Sequence, residues 1–218
     1  MSISTHRLNV TRLRPQTCQT QVRPGLTVSR CRCHHVYFAT SVGIGGLGHL
    51  GLQWSVALGA TTYALTHSPN KTSDAKSLGA RDVIVTSEKG FAERWKMRFD
   101  FILCCADATD KFVMTAYLGM LKVGGEFHMV GIGDKPLDGL HPFAFVTNAA
   151  KLSRSHLGNH QEMEEMLQLA VEKGVRPMVE TLELGGEGEG CKEAVERVKE
   201  GRVRYRFTLV GFDKVFGE

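Results

Sequence analysis

The sequence predicts an α/β fold built on a doubly wound parallel sheet, followed by a small αβ appendix and preceded by a basic arm. Two features carry that expectation. From Val36 to Leu157 short apolar runs alternate with helical patterns, giving six strand signals. A glycine cluster also stands where the first run ends and the first helix begins. Composition and spacing divide the chain into an arm over residues 1–35, an alternating α/β unit over 36–174 and a carboxyl-terminal remainder over 175–218.

Taken in order, residues 36–43 read as a strand that runs into glycines. Residues 47–58 follow as a helix: Leu47, Leu50, Trp54 and Leu58 recur on one face, and Gly59 stands where a left-handed stop is wanted. Residues 62–66 form the second strand, 71–78 a short helix closed by Gly79, and 82–86 the third strand. The pattern then repeats, with a buried strand over 99–105, a helix over 111–121, a strand over 126–130 and a more polar sixth strand over 151–157. The helix over 160–173 has the plainest period, with Met163, Met166, Leu167, Ala170 and Val171 on one stripe. Asn159 and Glu162 have capping-box spacing, and Gly174 ends the helix. The last part predicts a helix through Ala194, Val195 and Val198, then an alternating strand presenting Val203, Tyr205, Phe207 and Leu209, whose apolar face needs a cover.

Composition removes several function classes. The 218 residues are 42% hydrophobic and 23% charged, enough for one sizeable core. No apolar stretch approaches the roughly 18 to 20 residues of a bilayer span, so no membrane partner is expected. The net charge of +4 is uneven: residues 1–35 hold six arginines and no acid, leaving 21 Lys and Arg against 23 Asp and Glu elsewhere. A nearly neutral body argues against nucleic acid as a partner. Six cysteines with no apolar leader before them point to reduced thiols and a cytoplasmic protein, although the acid-free, Arg-rich start also fits the composition of a mitochondrial presequence.

The chemistry lies in Gly43-Ile44-Gly45-Gly46-Leu47-Gly48, a G-x-G-x-x-G between strand and helix. Gly43 allows the tight turn, Gly45 lets the backbone approach a pyrophosphate, and Gly48 lets the helix close on the sheet. An ordinary glycine-rich turn would carry the same letters; the surrounding α/β elements favour the phosphate reading. About twenty residues on, where an NAD site places an acid on the ribose, the chain reads Thr66-His67-Ser68-Pro69-Asn70-Lys71, and its first acid is Asp74. Hydroxyls, an imidazole and an ammonium receive a 2′-phosphate that a carboxylate would repel, so the expected cofactor is NADP(H) rather than a solvated polar turn holding nothing.

These segments, together with KSLGARDVI, LKVGGEFHMVGI, EEMLQLAVEKGV and the terminal VRYRFTLV, resemble the zinc-type medium-chain alcohol dehydrogenases, in particular the NADP-dependent cinnamyl-alcohol-dehydrogenase-like branch. The resemblance runs from about Val42 to Val210. It implies hydride transfer between NADPH and an aldehyde or primary alcohol. It places a ribose contact at Cys105, where the family usually has threonine, and backbone contacts to the nicotinamide end at Gly131 and at Ser155, His156 and Leu157. It further implies an edge-to-edge homodimer, with residues 140–146 near the pairing edge.

The family also uses zinc, held by an upstream domain with a Gly-His-Glu segment and by a four-cysteine cluster. No Gly-His-Glu occurs in the 218 residues. Cys31, Cys33, His34 and His35 are too close together for one unstrained tetrahedral site, Cys104 and Cys105 read as strand residues, and His128 as a strand histidine satisfied locally. No metal ligand and no catalytic residue is therefore assigned. The expectation is an alcohol dehydrogenase by descent that lacks its metal-bearing half and does not turn over alone. Two alternatives stay open: a non-catalytic NADP(H)-binding or partner-binding module, and a metal-free reductase.

Overall fold

A strand buried on both faces must lie inside a sheet that is covered on both sides, and two runs meet that condition. Residues 62–66 are buried throughout, as are 101–104. The computed structural model describes residues 37–41, 44–106, 112–132, 137, 140–155, 157–186 and 188–217. The basic arm, Gly43 and His156 lie outside the described residues.

The elements are β1 (Tyr37–Ser41), α1 (Gly48–Ala57), β2 (Thr61–Thr66), α2 (Thr72–Ser77), β3 (Asp82–Val85), α3 (Phe91–Arg94), β4 (Phe99–Cys104), α4 (Met114–Met120), β5 (Leu121–Met129), β6 (Lys151–Arg154), α5 (His160–Lys173), β7 (Val179–Glu183), α6 (Glu189–Lys199), β8 (Arg206–Val210) and α7 (Phe212–Phe216). The first six strands form one parallel sheet in the order β3-β2-β1-β4-β5-β6. The order reverses between β1 and β4, and the carboxyl ends of the strands lie along one edge. The expected doubly wound fold is the observed one.

Side chains alternating along β2 feed two cores. Tyr63 and Leu65 join Phe99, Ile102, Leu118, Leu121 and Phe127 in the larger one. Ala64 joins Ile44, Leu52, Ala75 and Ala80 in the other. On α1 the buried residues are Gly48, His49, Gly51, Leu52 and Ser55, while Leu47, Leu50, Trp54 and Leu58 are half-buried. This corrects the expected inward face: Gly48, Gly51 and Ser55 let the helix axis approach the sheet beside the buried Leu52 and His49, and the expected stripe is only half-buried.

Helix α4 is shorter than expected and β5 starts earlier, because a buried side chain about thirty residues away fixes their junction. The Asn148 carboxamide donates to the carbonyls of Leu118 (2.7 Å) and Leu121 (2.9 Å), and its oxygen accepts the Ala150 N–H. These bonds satisfy carbonyls that the end of α4 would otherwise leave orphaned. At α5 the expected capping box forms in both directions, and Gly174 closes the helix at φ 69°. Its stripe is only partly covered: Met163, Met166 and Ala170 are half-buried, whereas Leu167 and Val171 are exposed.

In the carboxyl-terminal part β7 and β8 pair in parallel, with α6 as the connection between them. Arg197 donates to both oxygens of Glu180 (2.7 and 3.0 Å) and lies 4.5 Å from the centre of the Phe207 ring. A Cβ at Gly190 would fall 1.8 Å from the Glu183 carbonyl oxygen, so α6 meets the end of β7 at backbone distance. The expected alternation over 203–209 fails at Tyr205, which adopts φ 75° and is buried. Strand β8 begins only at Arg206, because the Tyr205 ring is turned into the core beneath α1 and α2.

Candidate functional site

All the segments singled out from the sequence fall at the carboxyl edge of the parallel sheet, where open α/β sheets bind their ligands. Residues 44–48 follow β1, 66–71 follow β2, Cys105 follows β4, Gly131 follows β5, and Ser155 and Leu157 follow β6. Helix α1 begins with no side-chain cap from Leu47 and no acid in its first turn. An uncapped helix start offers amide hydrogens and the positive end of the helix dipole to an anion.

Two cations converge on the carbonyls of this turn. The Lys71 ammonium, from the turn after β2, donates to the Ile44 carbonyl at 3.0 Å. The Arg206 Nε, from the start of β8, donates to the Gly46 carbonyl at 3.1 Å. The approach is close: a Cβ at Gly46 would meet the Tyr205 carbonyl oxygen at 3.0 Å and the Arg206 guanidinium carbon at 3.1 Å. Gly46 is thus required by packing from the far end of the chain, a role separate from that of its neighbours. Between β2 and Lys71, the buried Thr66 hydroxyl donates to the Ser68 carbonyl (3.0 Å), and the Ser68 hydroxyl accepts the Asn70 N–H (3.4 Å). His67, Pro69 and Asn70 are exposed.

Asp74, the first acid of the sequence, is bonded to the carboxyl-terminal segment and also feels the charge of Lys71. Its carboxylate accepts the Tyr205 hydroxyl (2.6 Å) and the Arg204 guanidinium (3.0 and 2.9 Å). The Tyr205 bond, then Arg204, holds the Asp74 carboxyl below the usual range. Burial first, and then Asp74, pushes the Tyr205 phenol up to about 12. The Asp74 carboxylate is thus hydrogen-bonded to the carboxyl-terminal segment, and Lys71 is the charged side chain of the turn after β2.

His49 makes the second link to that segment. Its Nε2 accepts the Met178 N–H at 3.0 Å, so Nδ1 carries the proton and donates to the Gly45 carbonyl at 2.9 Å. Burial, opposed by the Gly45 bond and aided by Arg206, depresses the His49 pKa below 6.5. A histidine kept neutral in the folded state contributes its full stability above the unfolded value of about 6.5, and that contribution is lost as the pH falls below it. The urea midpoint should therefore drop between pH 7.5 and pH 5.5, and His49→Gln should flatten the drop. An equal pH response in the variant would assign the effect elsewhere.

The remaining edge residues are joined by backbone bonds. The Gly131 N–H donates to the Cys104 carbonyl (3.3 Å), Ser155 N–H to the Met129 carbonyl (3.1 Å), and Arg154 to the Gly131 carbonyl (2.9 Å). A Cβ at Gly131 would fall 2.2 Å from the Ala106 carbonyl oxygen, so no larger residue fits there without moving backbone. Strand β4 ends at Cys104, one residue short of the expected Cys105, whose thiol is pushed up to about 12 by burial and then by Cys104. A thiol held protonated is a poor nucleophile. Leu157 is exposed. His128 is satisfied locally, with Ser153 and Ser155 hydroxyls on its two ring nitrogens.

Sequence reading found the glycine turn and the turn after β2 but missed His49, Asp74, Tyr205 and Arg206. The available signal was the alternation of arginine and aromatic residues in Arg204-Tyr205-Arg206-Phe207, an unusual density of charge for a strand entry. Among the described residues no group of three or more His, Cys, Asp or Glu side chains could hold a metal ion, and no helix is long and apolar enough to cross a membrane.

With this geometry established, residues 46–172 match the zinc-binding dehydrogenase family. The chain belongs to that family. It is 38% identical over 179 residues to NADP-dependent alcohol dehydrogenase 6 of Saccharomyces cerevisiae, a match that covers 81% of this chain and 49% of the yeast protein. It is 36% identical over 168 residues to the probable formaldehyde dehydrogenase AdhA of Bacillus subtilis, covering 77% and 46%. Among solved structures, a cinnamyl alcohol dehydrogenase of Sorghum bicolor superposes with a TM-score of 0.73 at 27% identity, over 84% of this chain and 49% of that one. The chain thus spans about half the length of the relatives it matches, and the matched family region ends one residue before the end of α5.

Proposed function

We propose that this chain is the NADP(H)-binding part of an alcohol dehydrogenase or aldehyde reductase. The observation that carries the reading is the Lys71 ammonium lying 3.0 Å from the Ile44 carbonyl, which joins the turn after β2 to the glycine turn. The two phosphate-bearing ends of one nucleotide would fall on those two turns. Backbone amides of Gly43, Ile44, Gly45, Gly46, Leu47 and Gly48 would hold the diphosphate, with Arg206 adding charge. Thr66, His67, Ser68, Pro69, Asn70 and Lys71 would hold the 2′-phosphate. Cys105, Gly131, Ser155, His156 and Leu157 would border the ribose and nicotinamide. When bound, the reduced nucleotide would donate a hydride to an aldehyde and the oxidised one would accept a hydride from an alcohol; the chain's own residues bind and orient it. The similarity to proteins named as NADP-dependent alcohol dehydrogenases supports the cofactor and the reaction class.

The residues described here do not fit the zinc of the family, and no step is assigned through it. We infer nucleotide binding without turnover by this chain alone, a reading tested directly by assay. Titration of the full chain with NADPH and NADH, followed by nucleotide fluorescence, should show NADPH bound at least about tenfold more tightly, the equivalent of one charge-assisted contact. Equal or tighter binding of NADH would overturn the cofactor assignment. Aldehyde reduction by the same sample in the presence of added zinc would overturn the expectation that it is inactive alone.

A further inference from the structure

Four side chains on β5, β6 and the residue after β6 form a line of hydrogen bonds, and the nucleotide reading uses Ser155 of this group only through its backbone. Glu126 stands beside Lys151 and His128 beside Ser153 in the β5–β6 register, so Glu126 and His128 share one face of β5. The Ser153 hydroxyl bonds to a Glu126 carboxylate oxygen. His128 Nδ1 lies 2.6 Å from the Ser153 hydroxyl, and Nε2 lies 2.6 Å from the Ser155 hydroxyl.

Donor and acceptor rules fix the direction of this line. A carboxylate can only accept, so Ser153 donates to Glu126. The Ser153 oxygen then accepts the His128 Nδ1–H. That leaves the Nε2 lone pair to accept the proton of Ser155. The ring is held by Phe101 of β4, stacked at 5.9 Å with 25° between planes. The His128 and Glu126 side chains are only 17% and 14% exposed. If His128 takes the proton, the resulting imidazolium stands 3.6 Å from the Glu126 carboxylate. An open pocket lined by Glu126, Lys151, Leu152 and Ser153 connects the carboxylate end to solvent.

We propose that Ser155 is a base-activated hydroxyl, with His128 as its base and Glu126, through Ser153, as the group that orients the base. The arrangement repeats the nucleophile, base and orienter logic of acyl-transfer sites with one hydroxyl inserted between the last two. Its substrate class is a small activated ester. In the step, the Ser155 oxygen bonds to the acyl carbon, the ester C–O bond breaks, the alkoxide or aryloxide leaves, and the Ser155 proton passes to His128 Nε2 and from there to the leaving oxygen. The proposal shares Ser155 with the nucleotide reading but is tested independently of it, because the reaction is followed with no nucleotide present.

The test is p-nitrophenyl acetate added to the full chain, with nitrophenolate release followed by absorbance and the acetyl group located by peptide mass spectrometry. One acetyl per chain on Ser155 is expected, and Ser155→Ala should abolish it. General-base assistance is worth about 10²–10⁴ in rate, so His128→Ala should slow acetylation at least about 100-fold, and added imidazole should restore part of the rate, which no purely structural role explains. Glu126→Gln should slow it by about tenfold, the difference between a charged and a neutral hydrogen-bond acceptor, and it decides the matter if His128→Ala does not fold. Acetyl groups on lysines only, or Ser155 labelled equally fast in the His128 and Glu126 variants, would overturn the proposal.

Discussion

Tyr205→Ala is expected to lower the folding free energy by about 3–5 kcal/mol, the usual cost of deleting a buried aromatic ring. The ring is packed with Ile44, Leu52, Ala64, Ala75 and Ala80, and its centre lies 4.9 Å from that of His49. Tyr205→Phe isolates the hydroxyl, which donates to Asp74 at 2.6 Å; the loss of a bond to a charged acceptor is worth about 1.5–3 kcal/mol. The backbone supplies a third comparison. Tyr205 has φ 75°, a conformation that alanine shares at a cost and glycine adopts freely. Tyr205→Gly should therefore be less destabilised than Tyr205→Ala, although both leave the same cavity. Urea unfolding of the three variants checks the order phenylalanine, glycine, alanine from mildest to worst. An alanine variant within about 1 kcal/mol of the parent would mean that the carboxyl-terminal segment does not hold the sheet. Because the Tyr205 carbonyl packs on Gly46 and Arg206 follows it, the alanine variant should also bind NADPH more weakly than its remaining folded fraction explains.

What was legible in the sequence follows from which interactions are local. Helix α5 has its expected bounds because its signals lie within three residues of its ends: the Asn159 and Glu162 capping box and the left-handed Gly174. The parallel pairing follows from repeated strand and helix units, since parallel neighbours need a crossover between them. The inward face of α1 differs from its apolar stripe because periodicity ranks residues by apolar size, whereas close approach to a sheet favours small side chains, here Gly48, Gly51 and Ser55 beside Leu52 and His49. The junction of α4 and β5 depends on Asn148, which bonds across 27 and 30 residues. Tyr205 was read as one more alternating strand residue, although its partner Asp74 lies 131 positions away and determines its direction.

The site divides in the same way. The glycine turn and the polar turn after β2 are contiguous motifs whose letters carry their chemistry. Their convergence is a property of the fold: Lys71 reaches back 27 residues to Ile44, and Arg206 reaches back 160 residues to Gly46. The commitment of Asp74 to Arg204 and Tyr205 is equally invisible in a linear reading. It matters electrostatically, because Arg204 brings a compensating positive charge to the carboxylate that stands three residues after Lys71.

Lys71→Glu is the variant that separates these roles, and it should weaken NADPH binding by about 100-fold while changing NADH binding by no more than about threefold. Loss of a charge-assisted contact costs about 1.5–3 kcal/mol, and a 100-fold change corresponds to about 2.7 kcal/mol. Reversal of the charge adds repulsion of the phosphate, so Lys71→Ala should fall between the two proteins at about tenfold. The side chain is only half-buried, and the difference between Lys71→Glu and Lys71→Ala should therefore shrink in high salt. A competing role would give a different pattern. If the ammonium served mainly to brace the Ile44 carbonyl, both substitutions would loosen the glycine turn, and NADPH and NADH would weaken together because both carry the diphosphate. Selective loss of NADPH is the result expected for a lysine that receives the 2′-phosphate, and titration of the two nucleotides against the parent and both variants measures it directly.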